Sequence, residues 1–373
     1  MTGWSWKLGR IAGIDVYMHA TFLILLAWVA VSHYVARNRV VDAGAGVAFI
    51  LALFAIVVLH ELGHALTARH YGIRTRDITL LPIGGVARLE RMPDDPRQEM
   101  LVALAGPAVN VGLAALLALV VSPADALRAW DDAAWVGGSF LAKLLLVNAS
   151  LAIFNMVPAF PMDGGRVLRA LLALRMDYVR ATQIAAQIGQ GLALAFGLLG
   201  LFGGNPVLVF VALFVWMGAA AEASMVQIKS ALAGIPVSRV MITEFHTLAP
   251  TDSLRRGLDH VLAGFQQDFV VVDGGDVVGV LTIGDLMKSL TRDGAEGAVA
   301  AAMSPRFEVA AAGEMLEAAF QRLQTAPSSV MPVVRDGALV GMLTMGNVGE
   351  FLMGQTALRR VTGTPKTAGA PTF

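Results

Sequence analysis

Three side chains capable of chemistry fall within five residues: His60, Glu61 and His64, near the end of the apolar run LALFAIVVLHELGHALTARHYG over residues 51–72. At about 3.6 residues per turn, positions four apart share a helix face, so the two imidazoles point the same way with Glu61 beside them. Each of these groups is costly to place in hydrocarbon, and three together require a cation or a water-filled cavity to compensate them. The pattern H-E-x-x-H on a helix reads as two zinc ligands, with the glutamate as base for a water that the metal activates. A lone histidine in an apolar helix is more often a satisfied core residue. That account fits poorly where unpaired polarity is concentrated at the place that tolerates it least.

The elements that must position these groups belong to a membrane protein. The chain has 373 residues, 56% hydrophobic and 15% charged, well above a soluble protein in apolar content and below it in charge. Its net charge of +0 provides no global field for an anionic partner, and no nucleic acid is expected. Without cysteines, ligands must come from His, Asp and Glu. The first residues lack the ordered charged start, short apolar core and small-residue site of a removable signal. Hydropathy places six spans, near residues 19–36, 46–70, 99–121, 136–157, 183–202 and 206–226. Arginines crowd the connections after the second and fourth spans (Arg74 to Arg97, then Arg166 to Arg180) and are sparse on the other side. The positive-inside rule therefore predicts both termini in the cytoplasm of a multi-pass cell-membrane protein.

That topology points to Asp163 as the third ligand. It follows the fourth span in NMVPAFPMDGGRVLRALLALR, where Pro158 and Pro161 stop a helix and Gly164 and Gly165 permit a tight turn before the next. Irregular backbone at membrane depth survives where it is buried in protein or lines a cavity. The plainer alternative is that Asp163 only caps the following helix. Residues 78–90, ITLLPIGGVARLE, are too short to span and read as a membrane-associated β-hairpin turning at Gly84 and Gly85. An exposed strand there would bind an unwound substrate by strand addition, with Ile83 and Val86 as its test positions.

H-E-L-G-H in the second span, followed by N-x-x-P-A-F-P-M-D-G-G from Asn155 to Gly165, resembles the site-2 protease family of intramembrane zinc metalloproteases over roughly residues 10–225. The resemblance implies one Zn2+ on His60, His64 and Asp163, water activation by Glu61, and cleavage of membrane-protein substrates within or near the bilayer. It also implies that Asn155 holds the substrate backbone; an interhelical hydrogen bond is an equal alternative. The rival reading is a non-proteolytic transporter or metal sensor, though a transport site has no need of a glutamate between its histidines.

After a linker over residues 227–235 the composition changes and a unit repeats. Residues 236–290 and 302–354 each read as strand, amphipathic helix, strand, strand and helix, and they end in VVDGGDVVGVLTIGD and VVRDGALVGMLTMGN. The repeat resembles a tandem pair of cystathionine-β-synthase-like (CBS) domains, so the predicted fold class is a polytopic α-helical membrane domain over 1–226 joined to a cytoplasmic α/β tandem module. In members that bind an adenine nucleotide, the threonine and aspartate of G-x-x-T-x-x-D hold the ribose. Thr282 and Asp285 match; in the second copy Thr344 is retained, but Asn347 replaces the aspartate. Such pairs regulate by nucleotide, or only dimerise or tether, and a strand-end threonine with a helix-capping aspartate needs no ligand. Residues 355–373, rich in Thr, Ala, Gly and Pro, read as a disordered tail.

Overall fold

The computed structural model describes residues 4–82, 84–93, 95–131, 139–264 and 266–362. The chain divides into two compact units, Met1–Val226 and Gln227–Phe373.

The first unit opens with β1 (Ser5–Ile11) and β2 (Ile14–His19), then α1 (Thr21–Arg37) and α2 (Val40–His70). Strands β3 (Thr75–Leu81) and β4 (Gly84–Leu89) lead to α3 (Pro96–Ala118), α4 (Pro123–Asp131), α5 (Phe140–Asn155), α6 (Asp163–Ala173), α7 (Tyr178–Phe202) and α8 (Pro206–Leu232). Among the described residues, α2, α3, α7 and α8 are long and apolar enough to cross a membrane. The other two expected spans, α1 and α5, are apolar but shorter, with 17 and 16 residues against the ~20 that a bilayer core requires. Asn38, left-handed at φ 52°, ends α1, and the proline-bearing segment 156–162 ends α5.

The hairpin expected over residues 78–90 is part of a larger sheet ordered β1-β2-β3-β4, in which β2 pairs parallel with β3 and the outer pairs are antiparallel. The reversal also comes earlier than Gly84 and Gly85. Leu81 pairs with Gly84, so both glycines lie inside β4. Side chains alternate across the sheet. Ile14, Val16, Ile78 and Leu80 are buried against Phe22, Phe54, Val58 and Leu62 of α1 and α2. The opposite face opens into a groove of about 350 Å³ lined by Tyr17, His19, Thr79, Val86 and Arg88, among others. Arg88 forks onto the buried Asp77 across the β3–β4 ladder, with Nε at 2.8 Å.

The second unit contains the last turns of α8, a short 3-10 turn at Val237–Arg239, and two copies of one motif. The first is β5 (Thr247–Leu248), α9 (Leu254–Ala263), β6 (Phe269–Asp273), β7 (Asp276–Leu281) and α10 (Ile283–Asp293), followed by α11 (Val299–Ala302). The second is β8 (Ala310–Ala311), α12 (Leu316–Thr325), β9 (Val330–Arg335), β10 (Ala338–Thr344) and α13 (Met345–Thr362). Each copy forms a three-stranded sheet with its own apolar core, and Val270, Val280, Val330 and Met342 cluster where the two sheets meet. Because α13 runs to Thr362, the first eight residues of the expected tail are helical; the rest of it lies outside the described residues.

Candidate active site

His60 and His64 sit one turn apart on α2, and Asp163 is the first residue of α6. All three are buried, at 7%, 4% and 7% exposure. His64 Nε2 lies 3.1 Å from His60 Nε2 and 3.2 Å from Asp163 Oδ2, and His60 Nε2 is also 3.2 Å from that oxygen. Asp163 does not merely cap its helix, since its carboxylate reaches back to α2, ninety-nine residues away. Among the described residues this is the one group of three or more His, Asp or Glu side chains with converging ligand atoms.

The hydrogen bonds leave a surplus of lone pairs at the centre. His64 Nδ1 is 2.7 Å from the carbonyl oxygen of Val102 on α3, which can only accept, so Nδ1 carries the proton and Nε2 of the neutral ring offers a lone pair. That lone pair faces a carboxylate oxygen and the second imidazole, an arrangement that a cation between them would satisfy. Zinc bonds of about 2.0–2.1 Å in tetrahedral geometry separate ligand atoms by roughly 3.3 Å, close to the observed 3.1–3.2 Å. The space is kept open by Gly106 of α3: a Cβ there would lie 2.2 Å from His64 Nε2 and 2.7 Å from His60 Nε2. The buried donor set of two imidazoles and one carboxylate therefore fits Zn2+ and leaves a fourth position available.

Glu61 lies next to the cluster under β4. A Cβ on Gly85 would come within 3.1 Å of Glu61 Cγ, so glycine lets the strand cross directly over the acid. Among the described residues no donor hydrogen-bonds the Glu61 carboxylate. As the last strand of the sheet, β4 has an edge that no other strand among the described residues pairs with. Val86 is 46% exposed on the groove face with Thr79, its register partner, and so faces away from the side on which Gly85 meets Glu61. Ile83 lies outside the described residues. Asn155 closes α5 half-buried, and its amide makes no hydrogen bond to the cluster. Gly164 must lack a side chain because a Cβ would approach Val157 O to 2.3 Å, which lets the segment before Asp163 fold tightly onto α6.

One buried network was not anticipated. Arg169 of α6, fully buried, directs Nε to Glu99 Oε1 at 2.8 Å, and its Nη1 to Glu222 of α8. In the sequence, Arg169 is one of several arginines in a basic connection, and nothing distinguishes the one that turns inward. Glu222 was the available signal, an acid near the end of an otherwise apolar helix.

In the second unit, Thr282 caps α10: its Oγ1 accepts from Asp285 N at 3.1 Å and donates to Asp285 Oδ2 at 2.7 Å. The cap is thus the threonine rather than the aspartate. At the equivalent place Asn347 Oδ1 accepts from Thr344 N at 2.6 Å, and its amide donates to the Val240 carbonyl.

An apolar helix bearing two imidazoles and a glutamate, met by an aspartate from a distant helix start, has the donor set that a membrane metallohydrolase requires. The family model described as peptidase family M50 matches residues 48–132 and 128–196, and the CBS domain model matches residues 237–292 and 299–354. The chain is 38% identical over 285 residues to a zinc metalloprotease of Methanocaldococcus jannaschii, MJ0392, covering 76% of this chain and 80% of that one. It is also 38% identical to the solved site-2 protease from Methanocaldococcus jannaschii, over 59% of this chain and 95% of the other, with a TM-score of 0.43. The CBS-pair protein CBSX2 from Arabidopsis thaliana matches at 25% identity over 34% of this chain and 99% of its own, with a TM-score of 0.30. The chain belongs to peptidase family M50, the site-2 proteases, and carries a tandem CBS pair. It is an intramembrane zinc metalloprotease.

Proposed function

We propose that His60, His64 and Asp163 hold one Zn2+ and that Glu61 is the general base for hydrolysis of a peptide bond in or near a transmembrane segment. The observation that carries this reading is the convergence of three buried ligand atoms at 3.1–3.2 Å, with the lone pair of His64 Nε2 turned into the cluster by the Val102 contact. When bound, zinc polarises a carbonyl oxygen and acidifies a water. Glu61, which no donor among the described residues hydrogen-bonds, takes the proton from the attacking water and returns it to the departing amine. A peptide bond within a helix is shielded by its own ladder, so the substrate must be extended first. The free edge of β4 above Glu61 supplies donors and acceptors for such a strand, and Asn155 is a further backbone contact.

The six helices α1, α2, α3, α5, α7 and α8 form the membrane domain, with both termini in the cytoplasm; the arginine asymmetry supports that orientation. The CBS pair is a cytoplasmic regulator. It takes an adenine nucleotide at Thr282 and Asp285, whereas Thr344 is engaged by Asn347. It also provides a surface for a homodimer.

The test is cleavage of a transmembrane reporter by purified protein against Glu61→Gln. The variant is expected to keep stoichiometric zinc and to lose about 10²–10⁴-fold in turnover, the range for a general base. Equal cleavage by the two proteins would sink the assignment.

A further inference from the structure

The proposed metal site is assembled from two helices that contact each other little by themselves: α2 brings the imidazoles and α6 brings Asp163. Helix α3 lies between them and meets both. Its Val102 carbonyl orients His64, and its Gly106 backbone closes over both imidazoles. One turn before Val102, Glu99 is buried at 1% exposure and receives Arg169 of α6. Arg169 is fully buried, the largest such side chain among the described residues. Its guanidinium carbon stacks 5.1 Å from the ring centroid of Phe160 and 5.0 Å from that of Tyr178. Phe160 belongs to the irregular segment that delivers Asp163, and Tyr178 begins α7. Glu222 of α8 takes the remaining side of the guanidinium.

One planar cation therefore joins α3, the segment 156–162, α6, α7 and α8. A guanidinium in this setting has strict geometry: its donors are directional and its faces stack, so it fixes rotation as well as distance. Asp163 lies six residues before Arg169 on α6, about 9 Å along the axis. A metal bond with a tolerance of about 0.2 Å would be lost if α6 rotated slightly or slid against α3.

We propose that Arg169, seated on Glu99, is the positioning residue for the third metal ligand, holding Asp163 in register with the His64 imidazole that α3 orients from its next turn. This rests on the assignment of His60, His64 and Asp163 as ligands. Groups bonded directly to a ligand commonly contribute about 10- to 100-fold in metal affinity, and Arg169, one step further out through α6, is expected at the lower end of that range.

The experiment uses the full-length protein in detergent or nanodiscs. Zn2+ affinity is measured by competition with a chromogenic chelator, and the visible spectrum is recorded after Co2+ replacement. Arg169→Lys keeps the charge but loses the fork and the plane. It is expected to lower Zn2+ affinity at least tenfold and to change the Co2+ spectrum, with helical content unchanged. Because a fully buried carboxylate left without its partner could prevent folding, the second variant removes both fully buried members, Arg169→Leu with Glu99→Leu, so that the carboxylate left without its guanidinium is the part-exposed Glu222. The same loss of affinity is expected in that folded double variant. Wild-type zinc affinity and an unaltered Co2+ spectrum in either folded variant would overturn the proposal. Absence of any stoichiometric zinc from the parent protein would instead refute the ligand assignment beneath it.

Discussion

His64 Nδ1 lies 2.7 Å from the carbonyl oxygen of Val102, whereas Nδ1 of His60 is buried without a partner among the described residues. The two imidazoles are thus unequal. The first is fixed in tautomer and rotation before any metal arrives, and the second is not.

From that asymmetry, His64→Ala is expected to cost more zinc affinity than His60→Ala, by about tenfold or more, the worth of an orienting partner. Chelator competition on the two purified variants measures the difference. Equal losses would show that the Val102 contact does not preorganise the site.

Two glycines touch the centre from different elements and should fail differently. Gly106→Ala puts a methyl where the imidazole nitrogens converge, 2.2 Å from His64 Nε2, so it should abolish stoichiometric zinc and activity together. Gly85→Ala meets Val57 Cγ1 and Glu61 Cγ at 2.8 and 3.1 Å; it should keep zinc but displace the base, lowering turnover about 10–10²-fold. Metal analysis of both variants, alongside reporter cleavage, separates the two effects.

Removing the metal with a strong chelator should inactivate the enzyme, and added Zn2+ should restore activity. Mg2+ should not, since it prefers an oxygen cage to two imidazoles. Ligand-linked stability predicts that zinc at 100 times its Kd adds about 2.7 kcal/mol, visible as a rise in Tm with free zinc. A Tm indifferent to zinc would contradict binding to the folded state alone.

In the CBS pair, Thr282→Ala removes the cap of α10 and should cost about 1 kcal/mol. Asn347→Ala removes bonds to Thr344 and Val240 and should cost about 1–3 kcal/mol, destabilising the second copy more than the first. Thermal unfolding of the two variants provides the comparison. Adenine nucleotide titrated into the full chain should bind the parent and fail with Asp285→Ala.

The centre was readable because its parts announce themselves locally. Helical periodicity aligns His60 with His64, and prolines beside paired glycines mark the irregular approach to Asp163. The tandem motif was readable for the same reason, since turn glycines recur between apolar strands. What escaped depends on pairing over distance. The partners of β2 lie on β3, beyond two helices, and nothing in residues 5–19 alone specifies that neighbour. Arg169 lies seventy residues from Glu99, and as one arginine among several in a basic connection it looks like a topology signal. The strands over residues 78–90 pair antiparallel, but inside a four-stranded sheet and with the reversal ahead of the glycines, where Pro82 has no amide hydrogen to contribute to the ladder.

The edge that β4 leaves unpaired among the described strands has a consequence for selectivity if it is the docking edge proposed above. A rim of amides and carbonyls reads chain conformation, not side-chain identity, so an incoming segment would be graded by how cheaply it uncoils. Uniform leucine helices would present themselves and leave intact. Those interrupted by glycine, asparagine or proline would yield a stretch long enough to be cut, and the proteolytic fate of a membrane anchor would be written in its weakest turn.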